Sequence, residues 1–248
     1  IKSLDRALTL LATLPDSDDT TLTALSDTLR ESPATLYRAL FTLQKHGFAE
    51  PDPETQQWHV GPEAFRVGSA FLRRTSLIER TRPVLRNLME STGETANLGI
   101  ETGGDVLFVS QVETHETIRA FFPPGTKSPS HASGIGKALL ADFADRRLKT
   151  VLTRPRERFT DKTLTDKDAL LDDLAVIRRR GYSFDDEEKN EGMRCIAAPI
   201  RDAYGETIAG ISVSGPTSRM GLDRVDRIAA HVMAAAAKVS AALGHKPA

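Results

Sequence analysis

Residues 127–140 read KSPSHASGIGKALL, and this segment says most about how the chain folds. A polar stretch ends in small residues where an apolar helix begins, and the first N–H groups of a helix have no partner inside it. These donors and the helix dipole both favour a bound anion. The glycines at positions 134 and 136 let a ligand approach the backbone. A plain loop before a helix has the same features, so both interpretations stay open on this segment alone.

The composition is that of an ordinary soluble globular protein. The chain has 248 residues, of which 40% are hydrophobic and 27% charged, with a net charge of −1. That length suits one or two domains, each with its own core. No apolar run approaches the roughly 18 to 20 residues that span a bilayer, so no membrane partner is expected. The single cysteine, Cys195, cannot form an internal disulfide, which favours a cytoplasmic location.

The first part of the chain has the pattern of a small DNA-binding domain. Leucines recur at helical spacing in residues 4–11, 22–29 and 36–43. Ser32 and Pro33 are typical of a helix start, and His46-Gly47 of a helix end. Two short apolar stretches around a proline-rich turn, residues 48–60, then indicate a β-hairpin. Three helices and a hairpin predict a winged helix-turn-helix over residues 1–61.

In such a domain the third helix lies in the major groove. Charge gives this prediction little support, because residues 1–80 contain nine Lys/Arg and eleven Asp/Glu. A three-helix interaction module therefore remains an alternative. The polar residues opposite the leucines suit phosphates and base edges, and Arg38 suits a guanine edge or a phosphate. The candidate DNA-contacting residues are Ser32, Thr35, Tyr37, Arg38, Thr42, Lys45 and, on the wing, Gln56.

The rest of the chain predicts a linker helix and an α+β domain. Residues 62–80 continue helically, with an interruption at residues 73–76. Strands are expected at residues 96–100, 106–112, 118–122, 195–200 and 208–214. Helices are expected after residue 133, around residues 170–177, and from residue 225 to the end of the apolar pattern. Because the strands are grouped and do not alternate strictly with helices, residues 81–248 predict an α+β sheet domain.

At this level of detail the chain resembles the IclR family of bacterial transcriptional regulators over essentially its whole length. The resemblance rests on six motifs in order, QWHVG (57–61), GETAN (93–97), HASGIGKA (131–138), RGYSFDDEE (180–188), GMRCIAAP (192–199) and ISVSGP (211–216). It implies a winged helix-turn-helix joined by a linker helix to a GAF-like effector-binding domain. It also implies a homodimer or homotetramer that represses or activates from palindromic double-stranded operator DNA.

Within the family the chain is most similar to members that respond to glyoxylate and pyruvate. This likeness implies a pocket for a small 2-oxo acid, with glyoxylate first and pyruvate second. The acid's carboxylate is expected at the backbone N–H groups of Gly134 and Ile135. Polar contacts are expected from Asp185, Cys195, Ser212 and Ser214. The positions implied for the pocket wall, which are more apolar in those relatives, are Ala120, Ser128 and Met193, and Ser128 predicts a wetter wall here.

The acidic run at residues 185–188 has two interpretations. Asp185 would repel an anionic ligand if ionised, so in a pocket it must accept a hydrogen bond, orient a donor or be protonated. The run is equally compatible with a solvated turn or a subunit contact.

Catalysis is not expected. A phosphate loop over residues 131–138 is excluded, because His131 stands at its first glycine and Ala138 at its Ser/Thr. Cys195 lies in an apolar strand, where a lone cysteine is usually core. His59, His115 and His131 lack metal-ligand spacing, so no metal or cofactor is predicted. The alternatives are a sensor or scaffold module without operator binding and, less favoured, a carboxylate-processing enzyme.

Overall fold

The computed structural model describes residues 1–74 and 76–246 of the chain. They form two compact units, Ile1–Thr75 and Ser76–Ala248. No helix among the described residues is both long enough and apolar enough to cross a membrane.

The first unit is the predicted winged helix-turn-helix. Thr21 and Ser32 cap the second and third helices by accepting from Ala24 N and Thr35 N, which fixes where each helix begins. The buried core of this unit consists of Leu10, Leu14, Leu25, Leu36, Leu40, Ala49 and Trp58. Leu4 and Leu8, expected on the apolar stripe of the first helix, are more than half exposed, and Leu10 is buried in their place. The elements are α1 (Lys2–Thr13), α2 (Leu22–Leu29), α3 (Pro33–Lys45), the paired strands β1 (Ala49–Pro51) and β2 (Trp58–Val60), and α4 (Pro62–Arg74).

The stretch predicted as a linker, residues 62–80, covers α4 and the start of the next helix. That helix, α5 (Ser76–Thr92), belongs to the second unit and contains Pro83. Thr75, between the two helices, lies outside the described residues.

The second unit is an α+β domain built on one antiparallel sheet, in the spatial order β5-β4-β3-β8-β7-β6. Helices pack on both of its faces. The strands are β3 (Thr95–Thr102), β4 (Asp105–Val112), β5 (Lys127–Pro129), β6 (Ser183–Asp186), β7 (Met193–Arg201) and β8 (Thr207–Pro216). The remaining helices are α6 (Gly134–Asp142), α7 (Asp145–Val151), α8 (Lys167–Arg180) and α9 (Val225–Ala242).

Alternation along the strands separates an apolar face from a partly polar one. Ile211 and Val213 of β8 pack with α5 and α9 in one core. Ser212 and Ser214, which alternate with them, point to the other face, where α6 and α8 pack. Both serines are nevertheless buried. A buried polar strip therefore lies between the sheet and the start of α6.

The prediction of a strand at residues 118–122 is wrong. These residues have no regular structure, and the strand that pairs with β4 is β5, which begins at Lys127. Pro123 and Pro124 lack the N–H that a ladder needs, so pairing begins only beyond them. Gly125 N donates to Phe108 O as the chain turns back. Part of the segment expected as loop, residues 127–129, is therefore strand.

Besides β5, helix α7 and strand β6 were not predicted. Helix α7 is short and mostly exposed, so it has a weak apolar period. Strand β6 contains two aspartates, which are depleted in strands, and it forms because it pairs with β7 at the sheet edge.

Candidate functional site

A small cavity lies between the start of α6 and the polar strip of the sheet. The centres of water-sized groups can occupy about 30 Å³ of it, two to three times what one water molecule needs. An occupant must therefore have few non-hydrogen atoms. The residues around it are Phe108, Phe122, Ser128, Ala132, Ser133, Gly134, Ile135, Asp185, Lys189, Asn190, Met193, Arg194, Cys195 and Ser214.

The start of α6 forms one wall. Ser133 is the N-cap, and its hydroxyl accepts from Gly136 N at 3.4 Å. Gly134 and Ile135 come before Gly136 in the first turn of α6. The N–H groups of a first helical turn have no acceptors within the helix. These N–H groups are the donors that the predicted anion site would use, and binding of an anion there stays a prediction.

Neighbouring strands supply the opposite wall. Asp185 of β6 is in register with Cys195 of β7, and Cys195 is in register with Ser214 of β8. A buried amide network lies beside this row. Asn97 Nδ2 donates to the hydroxyls of Ser212 and Ser214, each at 3.3 Å. Three residue types that donate or accept hydrogen bonds thus line up across the sheet under the first turn of α6.

The structure brings most of the predicted effector-site residues together. Two do not line the cavity. Ser212 is fully buried beneath it and accepts from Asn97, and Ala120 is buried elsewhere along the chain before β5. Those that do line it are Gly134, Ile135, Ser128, Asp185, Met193, Cys195 and Ser214. Their contact with an effector stays a prediction.

Asp185 is buried, and its carboxyl titrates closer to neutral pH than an exposed aspartate does. Burial raises the pKa of its carboxyl to about 6, against the opposing charge of Lys137 and a hydrogen bond from Glu188 N. That bond, 2.9 Å long, ends on Oδ1. Asp185 therefore combines two of the roles expected for it, as an acceptor and as a group that protonates readily.

Lys137 lies in a buried ion cluster behind the cavity. Its Nζ donates to Asp173 at 2.8 Å, to the carbonyl of Phe184 at 2.9 Å and to Glu188. Burial lowers the pKa of Lys137, but the charges of Glu188 and Asp173 outweigh this effect and raise it. Burial raises the pKa of Glu188 to about 7. At Asp185 and Glu188 the acidic run is therefore buried structure and not a solvated turn.

Cys195 is a neutral thiol. Burial, reinforced by the charge of Asp185, raises its pKa to about 11. A thiolate is the reactive form of cysteine, so the raised pKa makes this side chain a poor nucleophile.

Lys189 is one of several cavity residues that were not predicted from the sequence. It follows the acidic run in the turn after β6, and its Nζ donates to Ser128 Oγ at 3.0 Å. Burial lowers the pKa of its ammonium group. The available signal was its position in the turn that joins Asp185 of β6 to Met193 of β7, both of which were singled out.

The residues predicted to contact DNA lie on the surface of the first unit. Arg38, Thr42 and Lys45 are exposed on the face of α3 opposite its buried leucines. Tyr37 is 53% exposed. The other candidates are exposed or half-buried at the start of α3 and on the wing, Ser32, Thr35 and Gln56. An aromatic neighbour that the sequence analysis did not single out, Phe41, is 57% exposed on the same helix.

The whole chain matches known proteins. Residues 69–241 match the family described as "Bacterial transcriptional regulator IclR C-terminal", and residues 3–53 match "IclR helix-turn-helix domain". The chain belongs to the IclR family. It is 59% identical to the HTH-type transcriptional regulator BhcR of Paracoccus denitrificans over 241 residues, 97% of this chain and 86% of that protein.

A second relative, the acetate operon repressor of Salmonella typhimurium, is 40% identical over 98% of this chain and 90% of its own length. The crystal structure of the Thermotoga maritima IclR protein shares the fold, with a TM-score of 0.75 and 26% identity over 98% of this chain and 99% of that one. These relatives are transcriptional regulators. This IclR-family chain is accordingly a regulator with a helix-turn-helix domain and an effector domain, and not an enzyme.

Proposed function

We propose that this IclR-family regulator binds a small 2-oxo acid, glyoxylate first and pyruvate second, in the cavity at the start of α6. The observation that carries the proposal is the donor set around a space of about 30 Å³. An acid of few atoms needs few contacts, provided that the donors are placed in advance.

The cavity supplies donors for both ends of such a molecule. The N–H groups of Gly134 and Ile135 suit its carboxylate. The protonated thiol of Cys195 and the hydroxyl of Ser214 suit a keto or aldehyde oxygen. Because the pKa of Asp185 is about 6, this carboxyl can take up a proton when an anion enters, which removes the repulsion.

We further propose that the first unit binds palindromic operator DNA as part of a homodimer or homotetramer in the bacterial cytoplasm. The exposed face of α3 supports this part of the proposal. The Salmonella typhimurium relative is named as a repressor of the acetate operon, which favours repression of genes for small carboxylic acids here too.

Effector binding and operator binding are coupled because the effector has unequal affinities for two arrangements of the subunits. A ligand shifts a population only when it binds one arrangement of the subunits better than another. Residues 62–80 connect the first unit to the second and are the segment proposed to transmit the change. Effector binding would then alter the spacing of the recognition helices on DNA.

Fluorescence anisotropy of a labelled duplex, selected by the full chain from random DNA, tests the proposal. The expected result is a change in apparent Kd of at least about fivefold when glyoxylate is added, the lower end of ordinary allosteric coupling. Acetate and pyruvamide serve as controls for the oxo group and for the charge. Failure to select any duplex would favour the sensor without operator binding. If a duplex is selected but no 2-oxo acid changes the apparent Kd of the protein for it, the proposed effector is contradicted.

A further inference from the structure

Two cationic residues line the cavity, and among the described residues only Arg194 is paired with a carboxylate. Arg194 donates to Asp186 Oδ1 at 2.7 Å and to the carbonyl of Met220 at 2.8 Å, so its guanidinium is held away from a ligand. Lys189 donates to the neutral hydroxyl of Ser128. Among the described residues, no carboxylate lies within ion-pair distance of the Lys189 ammonium group, and the charges of Asp185, Asp105 and Glu157 act on it only from farther away.

This arrangement leaves Lys189 short of acceptors. An ammonium group has three donors, and Ser128 takes one of them. The group is half-buried, so water replaces the missing acceptors only in part. A carboxylate in the cavity would supply the opposite charge at short range, and a charge-assisted bond is stronger than a neutral one.

Ser128 fixes where that charge is held. Its backbone lies in β5, in register with Val106 of β4, and its side chain is buried. A hydroxyl that accepts from Nζ at 3.0 Å therefore tethers the flexible lysine to the sheet.

We propose that Lys189 is the specificity-determining residue of the effector site, where its ammonium group, positioned by Ser128, pairs with the carboxylate of the bound acid. The inference rests on the proposed function and deepens it. The N–H groups of Gly134 and Ile135 orient the ligand, and Lys189 distinguishes an acid from its neutral analogue.

Calorimetric titration of the full chain with pyruvate and with its neutral amide, pyruvamide, tests the assignment. For Lys189→Met we expect pyruvate affinity to fall about tenfold to a hundredfold, the range for a hydrogen bond to a charged group. Pyruvamide affinity should change less than about threefold. The acid-to-amide preference is the decisive quantity, because a merely structural role would weaken both ligands together.

Three further variants complete the design. Lys189→Arg should restore most of the preference for the acid, since the charge is retained. Ser128→Ala should lower it severalfold, because the tether is lost while the charge remains. Lys149→Met removes an exposed lysine of α7 and should change neither affinity.

The outcomes separate this inference from the proposed function. Equal pyruvate binding by Lys189→Met and the unsubstituted protein would overturn the role of Lys189 and leave the effector class standing. Equal losses for acid and amide would also overturn it. If the unsubstituted protein bound neither glyoxylate nor pyruvate, the effector class would fall and this assignment with it.

Discussion

Gly134 lies directly against Cys195, so that the first turn of α6 touches the middle of the sheet. A Cβ built at Gly134 would stand 2.6 Å from Cys195 Sγ and 3.2 Å from its Cβ. No side chain fits there without a shift of the helix or the strand. This contact limits how closely the first turn of α6 approaches β7.

Substitution Gly134→Ala should therefore lower both stability and effector affinity. Overpacking of this kind typically costs about 1–3 kcal/mol of unfolding free energy. Urea denaturation followed by circular dichroism measures the loss, and calorimetry with glyoxylate measures the weaker binding. Combining it with Cys195→Ala removes Sγ and should recover part of the stability.

Gly68→Ala is the matched control, because a Cβ at this position of α4 meets open space. Alanine is the better helix former, so this variant should be at least as stable as the unsubstituted protein. A Gly134→Ala variant of unchanged stability would contradict the packing argument.

Lys137→Met should destabilise the second unit strongly. Lys137 is 1% exposed and neutralises Glu188 and Asp173, so its loss leaves the buried carboxylate of Glu188 and the partly buried carboxylate of Asp173 without a counter-charge. Breaking a buried pair in this way costs about 3–5 kcal/mol. The loss should shrink below pH 6, because Glu188, with a pKa already raised to about 7, then takes up a proton. Urea denaturation at two pH values measures both effects.

The comparison for this variant is Lys162→Met. The Lys162 side chain is 49% exposed and pairs with Asp186 and Glu187 at the surface. Exposed pairs contribute about 0–1 kcal/mol, so this change should matter little. Similar losses for the two lysines would show that burial of the Lys137 cluster does not govern its contribution.

The sequence allowed the fold to be predicted where local signals agree with tertiary structure. Leucine spacing, Ser32 with Pro33, and the turn at Gly103-Gly104 each determine an element without help from distant residues. Those two glycines have φ values of +61° and +94°, which few other residues adopt. The prediction of a strand at residues 118–122 was wrong because the β-propensity of these residues conflicts with Pro123 and Pro124. These prolines have no N–H group to donate to a neighbouring strand.

The site residues could be predicted where they lie within the family motifs. Asp185 and Cys195 lie within them, and strand register places the two side by side. Lys189 was missed because its role depends on Ser128, sixty-one positions earlier in the chain. The burial of Lys137 is likewise invisible in sequence, since its partners come from α8 and from the turn after β6.

Arg38→Ala should weaken operator binding without affecting effector binding. Arg38 is exposed on α3 and bonds only to the carbonyl of Ala34 in the described structure, at 3.2 Å. Loss of a base contact costs about 1–3 kcal/mol and relaxes specificity at one position, whereas loss of a phosphate contact lowers the salt dependence of log K by about one. Gel-shift titration at several salt concentrations distinguishes them.

Arg179→Ala, which removes an exposed arginine of α8, controls for net charge. Unchanged operator affinity in Arg38→Ala would mean that another surface reads the DNA.

Asp185→Asn should make the protein more stable and its effector binding less dependent on pH. The pKa of Asp185 is about 6 in the folded protein and 3.8 for an aspartate that is not buried, as in the unfolded chain. The folded state therefore holds the proton more firmly. Stability is therefore lost as pH rises from about 4 to 6, and the cost, on the order of 3 kcal/mol, persists above pH 7. Asparagine keeps an oxygen for the N–H of Glu188 and carries no charge. Urea denaturation should show the variant gaining stability at pH 8 and little at pH 4.

The same substitution tests the role of the proton in effector binding. In the unsubstituted protein, glyoxylate affinity should fall as pH rises through about 6, because an ionised Asp185 repels the anion. Asp185→Asn should remove most of this slope and leave the part due to Glu188, whose pKa is about 7. Calorimetry in two buffers of different ionisation enthalpy measures the proton uptake directly. An uptake at pH 7 that is equal in both proteins would show that Asp185 stays ionised beside the ligand, and the repulsion must then be met by Lys189.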